Sequence, residues 1–386
     1  MSRRAEAGRF ATRAVHGGLG PDAATGAVNT PISLSSTFAQ DGVGGHQGYD
    51  YGRSGNPSRS ALEQHLALLE GAAMGLCFAS GLAAEDAILR LCRPGDHVLL
   101  SNDAYGGTWR LVSKVHAPAG LQFSTVDLCD LEAVEAAIQP NTKLVWVETP
   151  TNPLLRVVDI AAVAELAHRR GAACVVDNTF ATPYLQQPLS LGADVVLHST
   201  TKYVSGHSDV IGGFCATNDR EVGEQLAFLQ NSAGAVPSPL DCYLLQRGVK
   251  TLAVRLDRSC ASALEVVELL LGHPSVCEVL HPSLPEHPGH RAAARQMSQF
   301  GAMVSFRCSG GEAAALAVCA ATEIFTLAES LGAVESLIEH PGKMTHASVA
   351  GSSNEVPADL VRLSIGLEDP ADLLEDLSQA LEAAAT

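Results

Sequence analysis

The sequence contains few aromatic residues and fewer basic residues than acidic ones. Phe, Trp and Tyr make up only 5% of its 386 residues, which argues against a platform for stacking nucleic acid bases. Its 25 Lys and Arg residues are outnumbered by 42 Asp and Glu residues, so the formal net charge is −17. Because nucleic acids and anionic membranes repel such a chain, we expect neither to be its main partner.

Long apolar runs and paired cysteines are also missing. Even Leu264–Leu271 is interrupted by Glu265 and Glu268, so we expect no membrane span. None of the ten cysteines belongs to a Cys-x-x-Cys pair, which argues against a zinc or iron–sulfur site. The segment HPSLPEHPGH, residues 281–290, is rich in histidine. Its prolines make it a rigid loop without a complete ligand set, so we expect no metal.

The composition that is present is typical of a folded protein from a reducing compartment. Hydrophobic residues account for 46% of the chain, which excludes global disorder. Cysteines such as Cys174 and Cys215 lie within apolar runs, where a thiol behaves as a small buried side chain. The arginines between residues 1 and 15 are not followed by an apolar stretch, so we expect no secretory signal and a cytoplasmic location.

The chain changes character near residue 58. The first fifty or so residues are rich in Gly, Ser, Thr and Pro without periodicity, which is typical of an extended arm. We expect Ser58 to cap a helix that ends at Gly71. Short apolar runs then alternate with helical stretches; these runs are Gly75–Ala79, His97–Ser101, Leu121–Val126, Leu144–Glu148, Ala173–Asp177 and Asp194–His198. This alternation predicts an α/β fold with a mostly parallel sheet and helices on both faces.

The alternation stops near Pro237–Pro239, where a long helical region over residues 240–271 begins. A smaller α+β segment follows, with strand candidates at Met303–Arg307 and Leu360–Ile365. We therefore predict an N-terminal arm over residues 1–53, a large domain over 54–245 and a C-terminal domain over 246–386.

Polar groups follow the predicted strands at the points where the strands end. Ligands of open parallel sheets bind beyond the carboxyl ends of the strands, so these groups predict an active site. They comprise Ser80-Gly81-Leu82, the segment 103–108 with Tyr105, the segment 148–153, Asp177-Asn178-Thr179 and the segment 198–203 with Lys202.

The residue types at this edge favour one cofactor. A partly desolvated Lys202 would have a lowered pKa and could attack a carbonyl as a free amine. A buried carboxylate such as Asp177 can keep a pyridine nitrogen protonated. The helix that begins at Gly81-Leu82 offers N–H groups to a phosphate, and Ser199 and Thr201 add hydroxyl donors. Together these groups predict pyridoxal 5'-phosphate (PLP) bound to Lys202.

Eight segments carry a resemblance that covers the chain from about residue 10 to its C-terminus. They are Tyr51–Pro57, Ala79–Ala84, Glu148–Pro153, Val176–Phe180, Ser199–Tyr203, Gly206–Asp209, Met344–Ser348 and Arg362–Ser364. With them the chain resembles the family of PLP-dependent enzymes that includes cystathionine γ-synthase, cystathionine γ-lyase and methionine γ-lyase. The resemblance implies the PLP-dependent transferase fold, similar to that of aspartate aminotransferase.

The resemblance also implies a role for individual residues. Lys202 matches the lysine that bonds to the cofactor and moves protons, Asp177 the partner of the ring nitrogen, and Tyr105 the aromatic residue that stacks on the ring and exchanges protons. The positions that match cofactor-phosphate ligands are Gly81, Leu82, Ser199 and Thr201, and Ser80 is a further predicted cofactor-binding residue. Those that match substrate-site residues are Asn152, Ser330 and Arg362, of which Arg362 would hold an α-carboxylate by two hydrogen bonds.

A second implication concerns neighbouring subunits. Tyr51 and Arg53 match residues that reach the phosphate of a neighbouring subunit, which would explain the long aperiodic arm. The resemblance therefore implies active sites shared between two subunits, and a homotetramer.

The implied activity is γ-elimination or γ-replacement at a carbon–sulfur bond of an amino acid, in transsulfuration. Acids at Asp50 and Glu329 resemble those of cystathionine γ-enzymes, where a distal ammonium needs a carboxylate. The chain has Gly107 where methionine γ-lyases tend to have Cys. Two alternatives remain, a methionine γ-lyase and a catalytically silent binding protein of the same fold. The sequence leaves open whether elimination or replacement dominates, and whether the unusual Lys343 reshapes the substrate pocket.

Overall fold

The computed structural model describes residues 7–17, 20–22, 24–345 and 356–384. Within them lie two β-sheets, one of seven strands and one of five. The strands of the larger sheet are β1 Met74–Phe78, β2 His97–Ser101, β3 Gln122–Val126, β4 Thr142–Glu148, β5 Ala173–Asp177, β6 Val195–Ser199 and β7 Gly213–Thr217. Their spatial order is β1-β7-β6-β5-β4-β2-β3.

The larger sheet is mostly parallel, as predicted. Strands β6, β5, β4, β2 and β3 run parallel, and β7 is antiparallel to both of its neighbours, β6 and β1. Strand β7 was missed by the sequence analysis. Because β6 and β7 pair with Ser199 opposite Gly213, the missed strand lies directly beside the predicted lysine segment.

Helices cover both faces of this sheet, which confirms the predicted layer order. On one face Leu144 and Trp146 pack with apolar residues of α3, and on the other Val145 and Val147 pack with those of α6. Successive side chains of a strand point to opposite faces, so a continuous apolar run such as β4 supplies both layers. The helices up to this point are α1 Phe10–His16, α2 Pro57–Glu70, α3 Gly81–Leu89, α4 Gly106–Leu111, α5 Leu131–Ala137, α6 Ile160–Arg169, α7 Thr182–Leu185 and α8 Arg220–Ala233.

The prediction for the start of α2 was wrong by two residues. Asn56, and not Ser58, is the N-cap: its side-chain oxygen accepts hydrogen bonds from the N–H groups of Ser58 and Arg59. Pro57 occupies the first helical position, where no N–H is needed. The helix ends at Gly71, as predicted, and the φ of +68° at that residue favours glycine.

The N-terminal arm is only partly extended, contrary to expectation. Its helix α1 packs against its own chain, on α2 and on a long C-terminal helix, and Ala14 is fully buried. Beyond it, the segment from residue 24 to residue 55 is largely exposed. Large apolar side chains such as Val28, Leu34 and Val43 lie open on this segment.

The remaining part of the chain forms the five-stranded sheet and its helices. The predicted helical region over 240–271 is two helices, α9 Pro239–Val249 and α10 Leu252–Gly272. The strands are β8 Val276–Leu280, β9 Met303–Cys308, β10 Thr326–Leu327, β11 Leu337–Glu339 and β12 Leu360–Ser364, in the order β10-β11-β12-β9-β8. The last helices are α11 His290–Gln296, α12 Gly311–Ala321 and α13 Pro370–Ala383. Among the described residues, no helix has the length and apolar character needed to cross a bilayer.

Candidate active site

A cavity of about 300 Å³ lies at the carboxyl ends of the parallel strands, where the sequence predicts the site. It is closed from the other side by residues near β12 and by the segment that precedes β11. Twelve of the predicted site residues line it: Ser80, Gly81, Leu82, Tyr105, Asn152, Asp177, Ser199, Thr201, Lys202, Glu329, Ser330 and Arg362.

Lys202 follows β6 and is partly buried. Its Nζ donates a hydrogen bond of 2.7 Å to the hydroxyl oxygen of Ser330. Burial, together with the positive charge of Arg362, lowers the pKa of Lys202 to about 8. A lysine in this state is a free amine much more often than an exposed one, which suits it for attack on a carbonyl and for proton transfer.

Asp177 ends β5 and is 8% exposed. Its Oδ1 accepts hydrogen bonds from Thr179, from the N–H at 2.9 Å and the hydroxyl at 2.5 Å. The other carboxylate oxygen, Oδ2, accepts no hydrogen bond from the described residues. Because the Asp177 side chain lines the cavity, Oδ2 is available to a ligand. Burial raises the pKa of Asp177, and the Thr179 hydrogen bonds act in the opposite direction. A cationic ring nitrogen would supply the missing counter-charge.

The start of α3 forms a cradle for an anion. The Ser80 hydroxyl accepts a hydrogen bond of 3.1 Å from the N–H of Ala83, and α3 begins at Gly81. A Cβ on Gly81 would lie 3.0 Å from the Cβ of Ser199, so glycine favours this close approach. Helix N–H groups and the hydroxyls of Ser199 and Thr201 thus surround a site suited to phosphate. With the amine of Lys202 and the carboxylate of Asp177, the residues present fit PLP.

Arg362, on β12, is 2% exposed and held from three sides. Its guanidinium donates to Oδ1 of Asn152 at 2.7 Å and to the carbonyl oxygen of Ser330 at 2.7 Å, and forms an ion pair of 2.9 Å with Glu339. Its Nε is buried without a hydrogen-bond partner in the described part of the chain. Ser330 has a φ of +95°, which strains a non-glycine backbone by about 1–3 kcal/mol. The strained residue thereby bonds both to Lys202 and to Arg362.

Three buried acids of the site were assigned no role from the sequence, although Glu148 belongs to the segment 148–153 that was placed at the site's edge. Glu148, at the end of β4, accepts hydrogen bonds from the N–H groups of Tyr105 at 2.7 Å and Asn152 at 3.0 Å. Burial raises its pKa well above the usual value. Its position after a strand was a usable signal. Glu85 lines the cavity from α3 and Glu339 binds Arg362 from β11, and neither has a distinguishing pattern in the sequence.

Tyr105 lies in the cavity wall, and its role beside the cofactor ring stays a prediction. It precedes α4 and lines the cavity, and its N–H is fixed by Glu148. Burial, reinforced by the negative charge of Glu85, raises the pKa of the Tyr105 hydroxyl. The hydroxyl therefore keeps its proton at neutral pH and can donate it.

Three predicted residues do not reach the cavity of their own chain. Asp50, Tyr51 and Arg53 are exposed on the arm. The guanidinium of Arg53 bonds to Asn231, with donor–acceptor distances of 2.8 and 2.9 Å, and lies 5.6 Å from the centre of the Tyr51 ring. Their predicted roles in a neighbouring subunit stay predictions.

Two further features noted in the sequence differ in how they relate to the cavity. Lys343 forms an ion pair of 2.6 Å with Glu312 and does not line the cavity, so its own side chain does not reshape the pocket. Of the segment Met344–Ser348, Thr345 lines the cavity, whereas residues 346–348 lie outside the described residues.

The histidine-rich loop has internal partners for its rings. His281 contacts the hydroxyl of Ser283 at 2.7 Å, and His290 contacts the carbonyl oxygen of Pro282 at 2.8 Å. The described residues contain no group of His, Cys, Asp and Glu side chains arranged to hold a metal ion.

Comparison with known proteins adds independent support. A cystathionine γ-synthase of Mycobacterium bovis is 62% identical over 373 residues, which cover 96% of each chain. A cystathionine γ-lyase of Bacillus subtilis is 48% identical to this chain, and the aligned residues cover 96% of this chain and 98% of the relative. The crystal structure of cystathionine γ-synthase from Xanthomonas oryzae in complex with cystathionine superimposes with a TM-score of 0.95 at 47% identity, over 97% of this chain and 98% of that one.

The family model described as Cys/Met metabolism PLP-dependent enzyme matches residues 11–382. This match spans both sheets and the residues of the cavity, and it confirms the predicted family, fold and cofactor. The protein therefore belongs to the family of PLP-dependent enzymes of cysteine and methionine metabolism.

Proposed function

We propose that this enzyme catalyses γ-elimination or γ-replacement at the carbon–sulfur bond of cystathionine or of a close relative. The observation that carries the proposal is the bridge made by Ser330. Its hydroxyl binds the amine of Lys202 and its carbonyl binds the guanidinium of Arg362. A base for the Cα proton and a cation for the α-carboxylate are thus held by one residue, as an amino acid substrate requires.

When bound, PLP supplies an electron-withdrawing ring that stabilises negative charge at Cα of the substrate. Asp177 would bind the ring nitrogen as an anion, and the cradle at Gly81, Ser199 and Thr201 would hold the phosphate. The amine of Lys202, with its pKa lowered to about 8, removes the Cα proton and then moves a proton at Cβ. The protonated hydroxyl of Tyr105 is positioned to donate its proton to the departing thiolate sulfur.

Arg362 orients the substrate through its α-carboxylate. The Nε atom without a partner is a donor that this carboxylate can use, and Glu339 and Asn152 keep the guanidinium plane in place. Because Arg362 is buried, its hydrogen bonds to a carboxylate are shielded from competing water.

Glu329 favours cystathionine over methionine. It is an exposed acid that lines the cavity, where it can bind the distal ammonium of cystathionine. Methionine ends in an apolar methyl thioether and offers no partner for this charge. A carboxylate at this place therefore supports the cystathionine-type activity, as do the relatives named cystathionine γ-synthase.

We also propose a homotetramer in which the arm of one subunit completes the cavity of another. Tyr51, Arg53 and Asp50 are exposed, together with the apolar side chains of Val28 and Leu34. An exposed apolar segment of this kind is typical of a subunit contact. A cytoplasmic location is supported by the seven buried free thiols, which suit a reducing compartment.

Two measurements test the activity. The purified enzyme is incubated with cystathionine, with methionine, and with an O-acylhomoserine plus cysteine, and the products are identified by mass spectrometry. We expect cystathionine from the last mixture or 2-oxobutanoate from the first, and little methanethiol from methionine. Borohydride reduction followed by peptide mapping should place a phosphopyridoxyl group on the peptide with Lys202. A strong preference for methionine, or a label on another peptide, would contradict the proposal.

The variant Glu329→Gln separates the two substrates further. Glu329 is exposed, so its ion pair with the distal ammonium is worth about 1 kcal/mol or less, roughly fivefold in kcat/KM. We expect this loss for cystathionine and no change for methionine. Glu335→Gln is the matched control, because Glu335 is an exposed acid on the same segment and does not line the cavity.

A further inference from the structure

Glu85 is a second buried carboxyl in the cavity, and neither the sequence nor the proposed mechanism assigns it a role. It lies on α3, four residues after Gly81, so both residues share the helix face that lines the cavity. Only 3% of Glu85 is exposed, and its Oε2 is buried without a hydrogen-bond partner in the described part of the chain. The adjacent Asp86 points elsewhere, to Arg90 at 2.7 Å and His116 at 2.9 Å.

The groups that act on Glu85 place it near the ring end of the cofactor site. Its carboxyl interacts electrostatically with Asp177, and it acts in turn on Tyr105. The nearby Thr108 hydroxyl lowers the pKa of Glu85. Even so, neither the Thr108 hydroxyl nor Oε2 of Glu85 has a hydrogen-bond partner in the described part of the chain. Gly81 marks the phosphate end of the cavity, and Glu85 lies one helical turn further along, on the side of Asp177.

Other charged groups around α3 offer Glu85 no evident counter-charge. The helix packs against β1, β6, β7, α4 and α8. His198 of β6 is bonded to the buried Glu70, and the charged residues at the start of α8 are exposed. The titratable or charged groups on these elements and on the cavity wall are Cys77, His198, Cys215, Arg110, Arg220, Glu221, Glu224, Tyr105, Glu148, Asp177, Lys202, Glu329 and Arg362.

An isolated buried carboxylate is costly, and two neighbouring carboxyls do not ionise together readily. Burial, followed by the negative charge of Asp177, raises the pKa of Glu85 to about 8. Glu85 is therefore a neutral acid at pH 7, whereas Asp177, whose pKa burial also raises, accepts hydrogen bonds from Thr179 that favour its ionised form. A cation brought next to both would favour the ionised form of each.

We propose that Glu85 is a second acidic positioning residue at the ring end of the cofactor site, neutral in the cofactor-free protein and ionised when a protonated ring nitrogen is bound beside Asp177. The proposal rests on the proposed roles of Lys202 and Asp177 as cofactor ligands. Its consequence is a thermodynamic linkage. If the bound cation favours the ionised form of Glu85, cofactor affinity rises with pH through the range in which Glu85 titrates.

The test is the dissociation constant of PLP for the full chain, measured by equilibrium dialysis from pH 6 to pH 9. The proteins compared are the wild type, Glu85→Gln, Glu85→Thr and the control Asp86→Asn. If the bound cation lowers the pKa of Glu85 by one unit, the affinity for PLP is tenfold higher at a pH well above this pKa than at a pH well below it. We expect the ratio of the Glu85→Gln to the wild-type dissociation constant to be about tenfold larger at pH 9 than at pH 6. The same rise is expected for Glu85→Thr, whereas the ratio for Asp86→Asn stays constant.

A ratio that does not change with pH in both Glu85 variants would overturn the proposal. Proton release on binding gives a second readout, from calorimetry in two buffers of different ionisation enthalpy at pH 7.5. The wild type should release more protons than Glu85→Gln, by up to one per site, and equal release would contradict the proposal. If PLP binds without labelling Lys202 under borohydride, the proposed site itself is wrong. If it labels Lys202 and the ratio is flat, only the role of Glu85 fails.

Discussion

Replacing Arg362 by Lys tests how the enzyme binds the α-carboxylate. The guanidinium contacts Asn152, Ser330 and Glu339 at 2.7–2.9 Å while keeping Nε free for a ligand. A lysine ammonium keeps the charge but has one nitrogen, so it cannot hold these contacts and present a planar pair of donors to a carboxylate. One hydrogen bond to a charged group is worth about 1.5–3 kcal/mol. The loss of one therefore predicts a decrease in kcat/KM of roughly tenfold to 150-fold.

The assay is steady-state kinetics with the best substrate found among cystathionine, methionine and O-acylhomoserine plus cysteine. Most of the change should appear in KM, because the carboxylate is bound in the ground state as well as in the transition state. Arg307→Lys is the control, since Arg307 lies on the neighbouring strand β9 and pairs with Asp359 and Glu278 away from the cavity. If a folded Arg362→Lys enzyme keeps kcat/KM within about threefold of the wild type, Arg362 does not bind the carboxylate as argued.

Three further predictions concern stability. Lys202→Met should stabilise the cofactor-free protein by up to about 3 kcal/mol at pH 7. Below the folded pKa of about 8 the buried ammonium of Lys202 destabilises the folded state relative to the unfolded one, and methionine removes that charge. Thermal melts should show the gain shrinking between pH 8 and pH 10.5, and a gain independent of pH would refute the reasoning. Asn56→Ala should lower the free energy of unfolding, measured by urea titration, by about 1 kcal/mol. It removes the α2 cap and the hydrogen bond to the carbonyl oxygen of Ser33. Ser54→Ala is the control, because Ser54 is exposed and its replacement should leave the free energy of unfolding unchanged. Leu99→Ala, at a fully buried position of β2, should cost about 2–5 kcal/mol in the same titration; a cost under 1 kcal/mol would contradict the packing described for the sheet.

The sequence alone was sufficient for six of the seven strands of the larger sheet and for many of the residues at its edge. Apolar runs such as Ala173–Asp177 are strands with the predicted bounds, because a strand buried on both faces needs a short continuous apolar segment. The polar residue after each run, such as Asp177 or Lys202, then lies at the carboxyl edge by topology. Position along the chain therefore determined which side chains meet.

Features that depend on distant partners could not be read locally. Strand β7 was missed because Gly213–Thr217 is short and contains Gly and Thr, and only pairing with both β1 and β6 makes it a strand. The arm was expected to be extended, but α1 forms because it packs on its own chain, on α2 and α10. Isolated helices of this length are unstable, so tertiary contact decides whether they exist.

The amino-acid order determined the set of chemical groups: an amine, a carboxylate, an anion cradle and a guanidinium. Each of them lies on a strand or shortly after a strand ends. Only the tertiary structure decided their charges and partners. Glu85 and Asp86 are neighbouring acids in the sequence, yet one is buried in the cavity and the other is ion-paired with Arg90. The physical reason is that the pKa of a carboxyl depends on the water and charges around it, and packing of distant segments sets both.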